Sequence, residues 1–291
     1  MRVAAGVLPL DKPEGPTSHD MVARARKALG ERRVGHTGTL DPFASGLLLL
    51  CVGKATRLAQ FLTGLDKGYE AVARLGVRTD SEDRDGTVVS ETDDWTGLDA
   101  RAVDEALAPF RGEIRQVPPQ FSAKKVGGEA MHRKARRGEH VPLEPRAVHI
   151  HELELLDVTL PHVRFRVRCS SGTYVRSLAR DLGEALGVGA HLTHLRRTSV
   201  GGFDVDGALP ATALDQPAAV EAAWISPLEA LAHLPRVRVD EAGATELGHG
   251  RVVQGTGAAD ADTVAVSLGE ELVAVGTVTE GVLKPRKVFR S

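Results

Sequence analysis

Apolar and polar positions alternate most cleanly from His162 to Cys169. Val163, Phe165, Val167 and Cys169 fall on one side and Arg164, Arg166 and Arg168 on the other, the period of two that a half-buried strand requires. The arginines read as a solvated sheet face. Gly6 to Leu10 predicts a short buried strand, and the unbroken apolar run Leu47 to Val52 a central one. Tyr69 to Leu75 predicts another strand, and the residues from Lys54 to Leu62 read as helical.

Helical spacing recurs three more times. Ser18 is a suitable N-cap for a helix that places Met21, Val22, Ala25 and Leu29 on one face and stops at Gly30. Asp99 to Phe110 directs Val103, Ala106 and Leu107 inward, and Tyr174 to Leu186 buries Val175, Leu178, Leu182 and Leu186. The acidic stretch from Thr79 to Gly86 reads as a solvated turn. From Arg236 the pattern changes to short β runs separated by glycines: Arg236 to Val239, Thr263 to Ser267, Leu272 to Val278 and Lys287 to Phe289. The Ala/Pro-rich stretch from Leu209 to Pro235 joins this part to the rest.

With 291 residues, 42% of them hydrophobic, the chain is long enough for one large core and a second small one. The expected fold is α/β (α+β): a mixed, mainly antiparallel sheet with flanking helices over residues 1–230, then a small all-β domain over 236–291. No internal repeat is present.

A net charge of −2 argues by itself against a nucleic-acid partner, but the distribution reverses that reading. Seven Lys/Arg stand against three acids between Ala123 and Ala147, whereas ten acids stand against two arginines between Asp80 and Glu105. Charges segregated in this way present a basic face despite a near-neutral total. The basic segment has no long aliphatic stripe and reads as a protruding, partly helical insertion at about 120–147. Cys51 and Cys169 have neither disulfide-framework nor zinc spacing, which fits a reduced cytoplasm. The N-terminal apolar stretch, broken by Pro9, is too short for a signal peptide or a membrane span, so a cytoplasmic protein is expected.

The most informative loop is Gly35-His36-Thr37-Gly38-Thr39-Leu40-Asp41-Pro42. Its glycines allow close backbone approach to a ligand, and Asp41 lies at the mouth of a strand, where a carboxylate faces a cleft. No Gly-Lys-Ser/Thr follows, so it is not a nucleotide-binding P-loop. Read alone, it is equally an Asx-turn in which Asp41 caps its own backbone.

Read as a set, the blocks resemble the TruB family of tRNA pseudouridine synthases. The loop, extended through Phe43-Ala44-Ser45-Gly46, resembles the catalytic motif, and Gly6 to Pro13 the N-terminal motif. Lys67-Gly68-Tyr69 resembles the tyrosine motif, and Ala73 to Asp80 the strand and turn after it. Ser171 to Gly183 and Gly189 to Arg197 resemble the third and fourth blocks. The segment ending Gly281 to Phe289 is similar to a PUA-like RNA-binding domain.

The resemblance implies a sheet of the pseudouridine synthase type and isomerisation of uridine to pseudouridine at position 55, in the T arm of tRNA. It also implies Asp41 as the catalytic carboxylate, Arg176 paired with it, and Tyr69 over the uracil, with Tyr174 and Leu195 completing the pocket. The target base must be extruded from its stack at a cost of roughly a few kcal/mol, and His36 resembles the residue that fills the vacated position. Lys12 would support the loop through backbone or phosphate contact, among the substrate-binding residues. Lys124, Lys125, Arg133, Lys134, Arg136 and Arg137 would meet RNA phosphates. No metal or other cofactor is implied, because the reaction involves neither redox change nor phosphoryl transfer. A monomer is expected.

The chain departs from the family at Phe121 and His132, where tyrosines are common. A non-catalytic tRNA-binding or tRNA-folding protein on the same scaffold is the alternative, and an intact Asp41, Tyr69 and Arg176 speaks against it. A two-carboxylate glycoside hydrolase lacks its second acid at a recognisable spacing.

Overall fold

Two strands, Gly6–Lys12 and Ser45–Val52, run antiparallel, with Val7 opposite Cys51 and Asp11 opposite Leu47. All eight positions of Ser45–Val52 are buried, because both of its faces are covered. Leu48, Leu50 and Val52 pack with Met21, Val22 and Ala25 of the helix Ser18–Leu29. Leu47, Leu49 and Cys51 pack with Ala265, Val275 and Phe289 from the end of the chain. A continuous apolar run is what a strand buried on both faces needs, and each buried leucine contributes roughly 1.5–3 kcal/mol.

The computed structural model describes residues 4–121, 125–126, 129–130, 137, 141–255 and 257–290. Its main sheet runs in the order Leu209–Pro210, Gly6–Lys12, Ser45–Val52, Ala190–Val200, Lys67–Leu75, His162–Cys169, Arg146–Thr159, Gly112–Gln116. Two short strands flank this path: Val34–His36 on Ser45–Val52, and Phe203–Asp204 on Ala190–Val200. Pairing is antiparallel except for Leu209–Pro210 on Gly6–Lys12 and Ala190–Val200 on Ser45–Val52, so the sheet is mixed and mainly antiparallel. Arg164, Arg166 and Arg168 are exposed and paired with Glu70, Glu152 and Glu154, as expected of a solvated face.

Helices cover the other face. Val103 and Leu107 of Ala100–Leu107 are fully buried, and so are Leu178, Ala179 and Leu182 of Val175–Ala185. The second helix approaches the sheet so closely that a Cβ on Gly183 would lie 2.2 Å from the Ala190 nitrogen. Between Val52 and Leu62 the helical reading resolves into a 3-10 turn, Gly53–Leu58, followed by a short α-helix, Ala59–Leu62. The N-cap of the first helix is Thr17, not Ser18. Thr17 Oγ1 accepts from the Asp20 amide while the Asp20 carboxylate accepts from the Thr17 amide, a reciprocal box that outcompetes a single serine cap.

From Arg236 a second sheet forms in the order Arg236–Arg238, Ala261–Leu268, Glu271–Thr279, Val282–Val288, over its own core of Val237, Val264, Val266, Val273 and Leu283. The β reading of this part holds with one correction: it is not all-β. The helix Glu241–Gly248, capped by Asp240, packs Ala244 and Leu247 into that core. Within the basic insertion, the described backbone includes two short paired strands, Lys125–Val126 and Glu129–Ala130. Arg137 lies in an exposed turn; Lys124, Arg133, Lys134 and Arg136, and the side chain of Lys125, fall outside the described residues. Among the described residues no helix is long and apolar enough to cross a membrane.

Candidate active site

The Asp41 loop joins Val34–His36 to Ser45–Val52 and is fastened at several points. Ser18 Oγ donates to the Leu40 carbonyl and accepts from the Leu40 amide, at 3.1 and 2.8 Å. The Pro42 carbonyl accepts from the Gly15 amide at 2.8 Å and from Lys12 Nζ at 3.4 Å. Lys12 is fully buried and also donates to the Pro13 and Pro16 carbonyls. Burial lowers its ammonium to about pKa 8, against the pull of Asp41. Lys12 thus stands behind the loop and ties it to the N-terminal turn.

Asp41 does not fold back as an Asx-turn. Arg176 Nε forms an ion pair with Asp41 Oδ2 at 3.0 Å, and the arginine is 4% exposed against 34% for the aspartate. Arg176 Nη1 also donates to the Ser81 carbonyl at 2.7 Å and lies 3.4 Å from Asp83 Oδ2. Its Nη2 donates to the Phe121 carbonyl, a backbone contact that the missing tyrosine hydroxyl leaves intact.

The acidic turn from Thr79 to Gly86 is solvated only in part, with Asp80, Arg84 and Asp85 exposed. Ser81 and Asp83 are buried, Ser81 Oγ donates to Asp83 Oδ1, and Glu82, in the left-handed region at φ 64°, is held by Arg180 and Ser177. Burial, followed by the charge of Asp41, pushes the Asp83 carboxyl above its ordinary value, although Arg176 opposes this.

In front of Asp41 lies a cavity of about 440 Å³, lined among others by Thr37, Tyr69, Tyr174, Arg176, Leu195 and Arg197. Tyr69 is 8% exposed, and burial raises its phenol above the ordinary value while the Arg197 guanidinium pulls it down. Gln116 fixes Tyr174 by accepting from its amide and donating to its carbonyl, at 2.8 and 3.0 Å. Lys67 also lines the cavity and donates to the Thr63 and Leu65 carbonyls.

The sequence-predicted Asp41, Tyr69, Tyr174, Arg176 and Leu195 thus converge on one cavity. His36 does not line it, but immediately precedes Thr37, which does. Its ring meets that of His19 edge-on at 6.2 Å, and its buried Nδ1 has no hydrogen-bond partner among the described residues. Burial, then His19 and Arg197, lowers its pKa. Sequence reasoning missed Asp83, Gln116, Lys67 and Arg197 as parts of this site. The two basic residues sit inside the matched motifs, which was the available signal.

Among the described residues no group of three or more His, Cys, Asp or Glu side chains is placed to hold a metal ion. Asp41 is the one carboxylate lining the cavity among the described residues, backed by a guanidinium and faced by two tyrosines. Such a wall suits a flat polar ring beside a fixed negative charge.

Sequence and fold place the chain in the pseudouridylate synthase class. The model described as "TruB family pseudouridylate synthase (N terminal domain)" matches residues 26–175, and "tRNA pseudouridylate synthase B C-terminal domain" matches 176–231. The chain belongs to the TruB family of pseudouridine synthases, which are isomerases. A tRNA pseudouridine synthase B of Burkholderia lata is 46% identical over 99% of this chain and 91% of that relative. Its counterpart in Azoarcus sp. strain BH72 is 43% identical over 99% and 96%. Among solved structures, a Cbf5-Nop10-Gar1 complex matches with TM-score 0.76 and 31% identity, over 97% of this chain and 84% of that one. An H/ACA RNP bound to a substrate RNA containing 2′-deoxyuridine gives 0.75 and 29%, over 98% and 85%.

Proposed function

We propose that this chain isomerises uridine 55 in the T arm of tRNA, with Asp41 as the catalytic carboxylate. The observation that carries the assignment is the Asp41 carboxylate, partly open to the cavity and held at 3.0 Å by a buried Arg176. An adjacent guanidinium favours the ionised acid and offsets the cost of desolvating it in a closed pocket.

The reaction breaks the N1–C1′ bond, turns the base and forms C5–C1′; the C5 proton leaves and N1 gains one. The target uridine enters the cavity after leaving its stack, at a cost of roughly a few kcal/mol, and His36 occupies the space it vacates. Tyr69 stacks on the uracil in either orientation, and Tyr174 and Leu195 close the pocket around it. Asp83, the second carboxylate, sits behind Arg176 and does not line the cavity, so it orients the guanidinium and leaves the ribose to Asp41.

Residues 1–230 act as the catalytic domain and 236–291 as a PUA-like RNA-binding domain, a reading supported by Lys284, Arg286 and Lys287 on the edge strand Val282–Val288. Two buried free cysteines fit a reduced cytoplasm, where the protein would act as a monomer.

The test is incubation of purified protein with a uridine-labelled tRNA transcript, followed by nucleoside analysis and mapping of the modified position. The parent should yield pseudouridine at position 55. Asp41→Asn should yield none while binding tRNA within a few-fold of the parent. Tight tRNA binding by the parent without pseudouridine would favour the tRNA-folding alternative.

A further inference from the structure

Arg197 is 2% exposed, yet among the described residues no carboxylate pairs with it. Burying an unpaired guanidinium is costly, so a fold that keeps one needs strong compensation. The compensation here consists of main-chain carbonyls. Nε donates to Leu47 O at 2.7 Å, Nη2 to Gly38 O at 3.2 Å and Nη1 to Thr39 O at 3.5 Å.

These carbonyls bracket Asp41: two precede it and one follows it. The backbone of Arg197 takes part as well. It lies opposite Gly46 in the parallel pairing. Gly46 has φ +101°, and a Cβ there would stand 2.3 Å from the Arg197 carbonyl oxygen, so only glycine permits this approach. On the other side of its strand, Arg197 is the register partner of Tyr69, and it lies two residues beyond Leu195. One residue therefore joins both ends of the Asp41 loop to the strands that carry the opposite wall of the cavity.

We propose that Arg197 is a positioning residue that sets the Asp41 carboxylate at its working distance from the Tyr69–Leu195 wall. This rests on the assignment of Asp41 as the catalytic carboxylate. Arg197 reaches the cavity lining, but its guanidinium is engaged with the loop backbone, and it is through that backbone that it acts. Reaction geometry is sensitive enough that a shift of about 1 Å costs about 100-fold in rate.

Arg197→Lys retains the charge but cannot reach carbonyls on both sides of Asp41, and Arg197→Gln loses the charge while filling most of the space. Single-turnover rate, tRNA dissociation constant and melting temperature are measured for both, well below melting, beside the parent and Asp41→Asn. The expected result is tRNA affinity within threefold of the parent, a rate lower by about 100-fold in the glutamine variant, and partial recovery in the lysine variant.

A folded glutamine variant with a rate within threefold of the parent overturns the proposal. So does a parallel loss of rate and affinity that tracks melting temperature, and so does failure of both variants to melt cooperatively, since Arg197 would then be a stability element. An inactive parent, or an active Asp41→Asn, would overturn the functional reading instead, so the two failures are distinguishable.

Discussion

Arg176 stands between two carboxylates, 3.0 Å from Asp41 Oδ2 and 3.4 Å from Asp83 Oδ2, and it is more deeply buried than either. This geometry gives the two acids different surroundings. Asp41 reaches the cavity, while Asp83 is held by Ser81 and the Asp85 amide behind the guanidinium.

Arg176→Lys keeps the positive charge but can serve only part of a set that includes Asp41, Asp83 and the Ser81 and Phe121 carbonyls. A lost charge-assisted hydrogen bond is worth roughly 1.5–3 kcal/mol. The single-turnover rate should therefore fall by about 10- to 100-fold, with tRNA affinity within a few-fold of the parent. A rate equal to the parent's would show that the pair is structural only.

His36→Ala leaves the cavity lining untouched but removes the ring beside Thr37. Its predicted effect is a slower reaction on T-arm stem-loops in which the target uridine is stacked. On substrates with that uridine already unstacked, the defect should shrink. Equal defects on both would rule out a role in filling the gap left by extrusion.

Some of this site was legible in the sequence. The apolar runs located Ser45–Val52 and Lys67–Leu75, and the glycine-flanked Asp41 stood out at a strand mouth. What could not be read was set by partners far along the chain. The Thr79–Gly86 turn looks solvated by composition, and only the arrival of Arg176, Ser177 and Arg180 on a later helix explains why Ser81 and Asp83 are buried. Arg197 was equally silent, because its ligands are main-chain carbonyls and carbonyls leave no trace in residue identity. The helix Glu241–Gly248 was masked by the low helix propensity of Gly243 and Gly248, which tertiary packing of Ala244 and Leu247 overrides.

Lys67 gives a prediction with a definite sign. Burial, reinforced by Arg197, lowers its ammonium from 10.5 to about 8, while the unfolded chain keeps the ordinary value. Between those pH values the unfolded state binds more protons, so the stability contributed by this group rises with pH. The penalty for burying the charge is fully present below pH 8 and fades toward pH 10.5. A shift of this size corresponds to roughly 3 kcal/mol. Denaturant unfolding of the parent and Lys67→Met should show their difference moving in the parent's favour by about that amount between pH 7.5 and 10.5. Lys12, which titrates in the same range, cancels in the difference. A flat difference would mean that Lys67 keeps an ordinary pKa in the folded protein.

The basic segment from Ala123 to Ala147 is expected to bear on RNA affinity and not on chemistry. Its seven Lys/Arg against three acids give it a net charge of +4, in a chain whose total is −2. Phosphate contacts release counterions, with a log-log salt slope of about −0.7 to −0.9 per contact. About three such contacts would account for a 20- to 40-fold loss of affinity between about 50 and 200 mM salt. Replacing Arg133, Lys134, Arg136 and Arg137 by alanine should therefore weaken tRNA binding and flatten that slope. Single-turnover isomerisation at saturating RNA should stay within a few-fold of the parent, because Asp41, Arg176 and the cavity lining are untouched. Binding titrations at several salt concentrations decide the matter. If the quadruple variant keeps the parent's slope, these charges face solvent in the complex, and the segment's basic character has no part in holding the T arm.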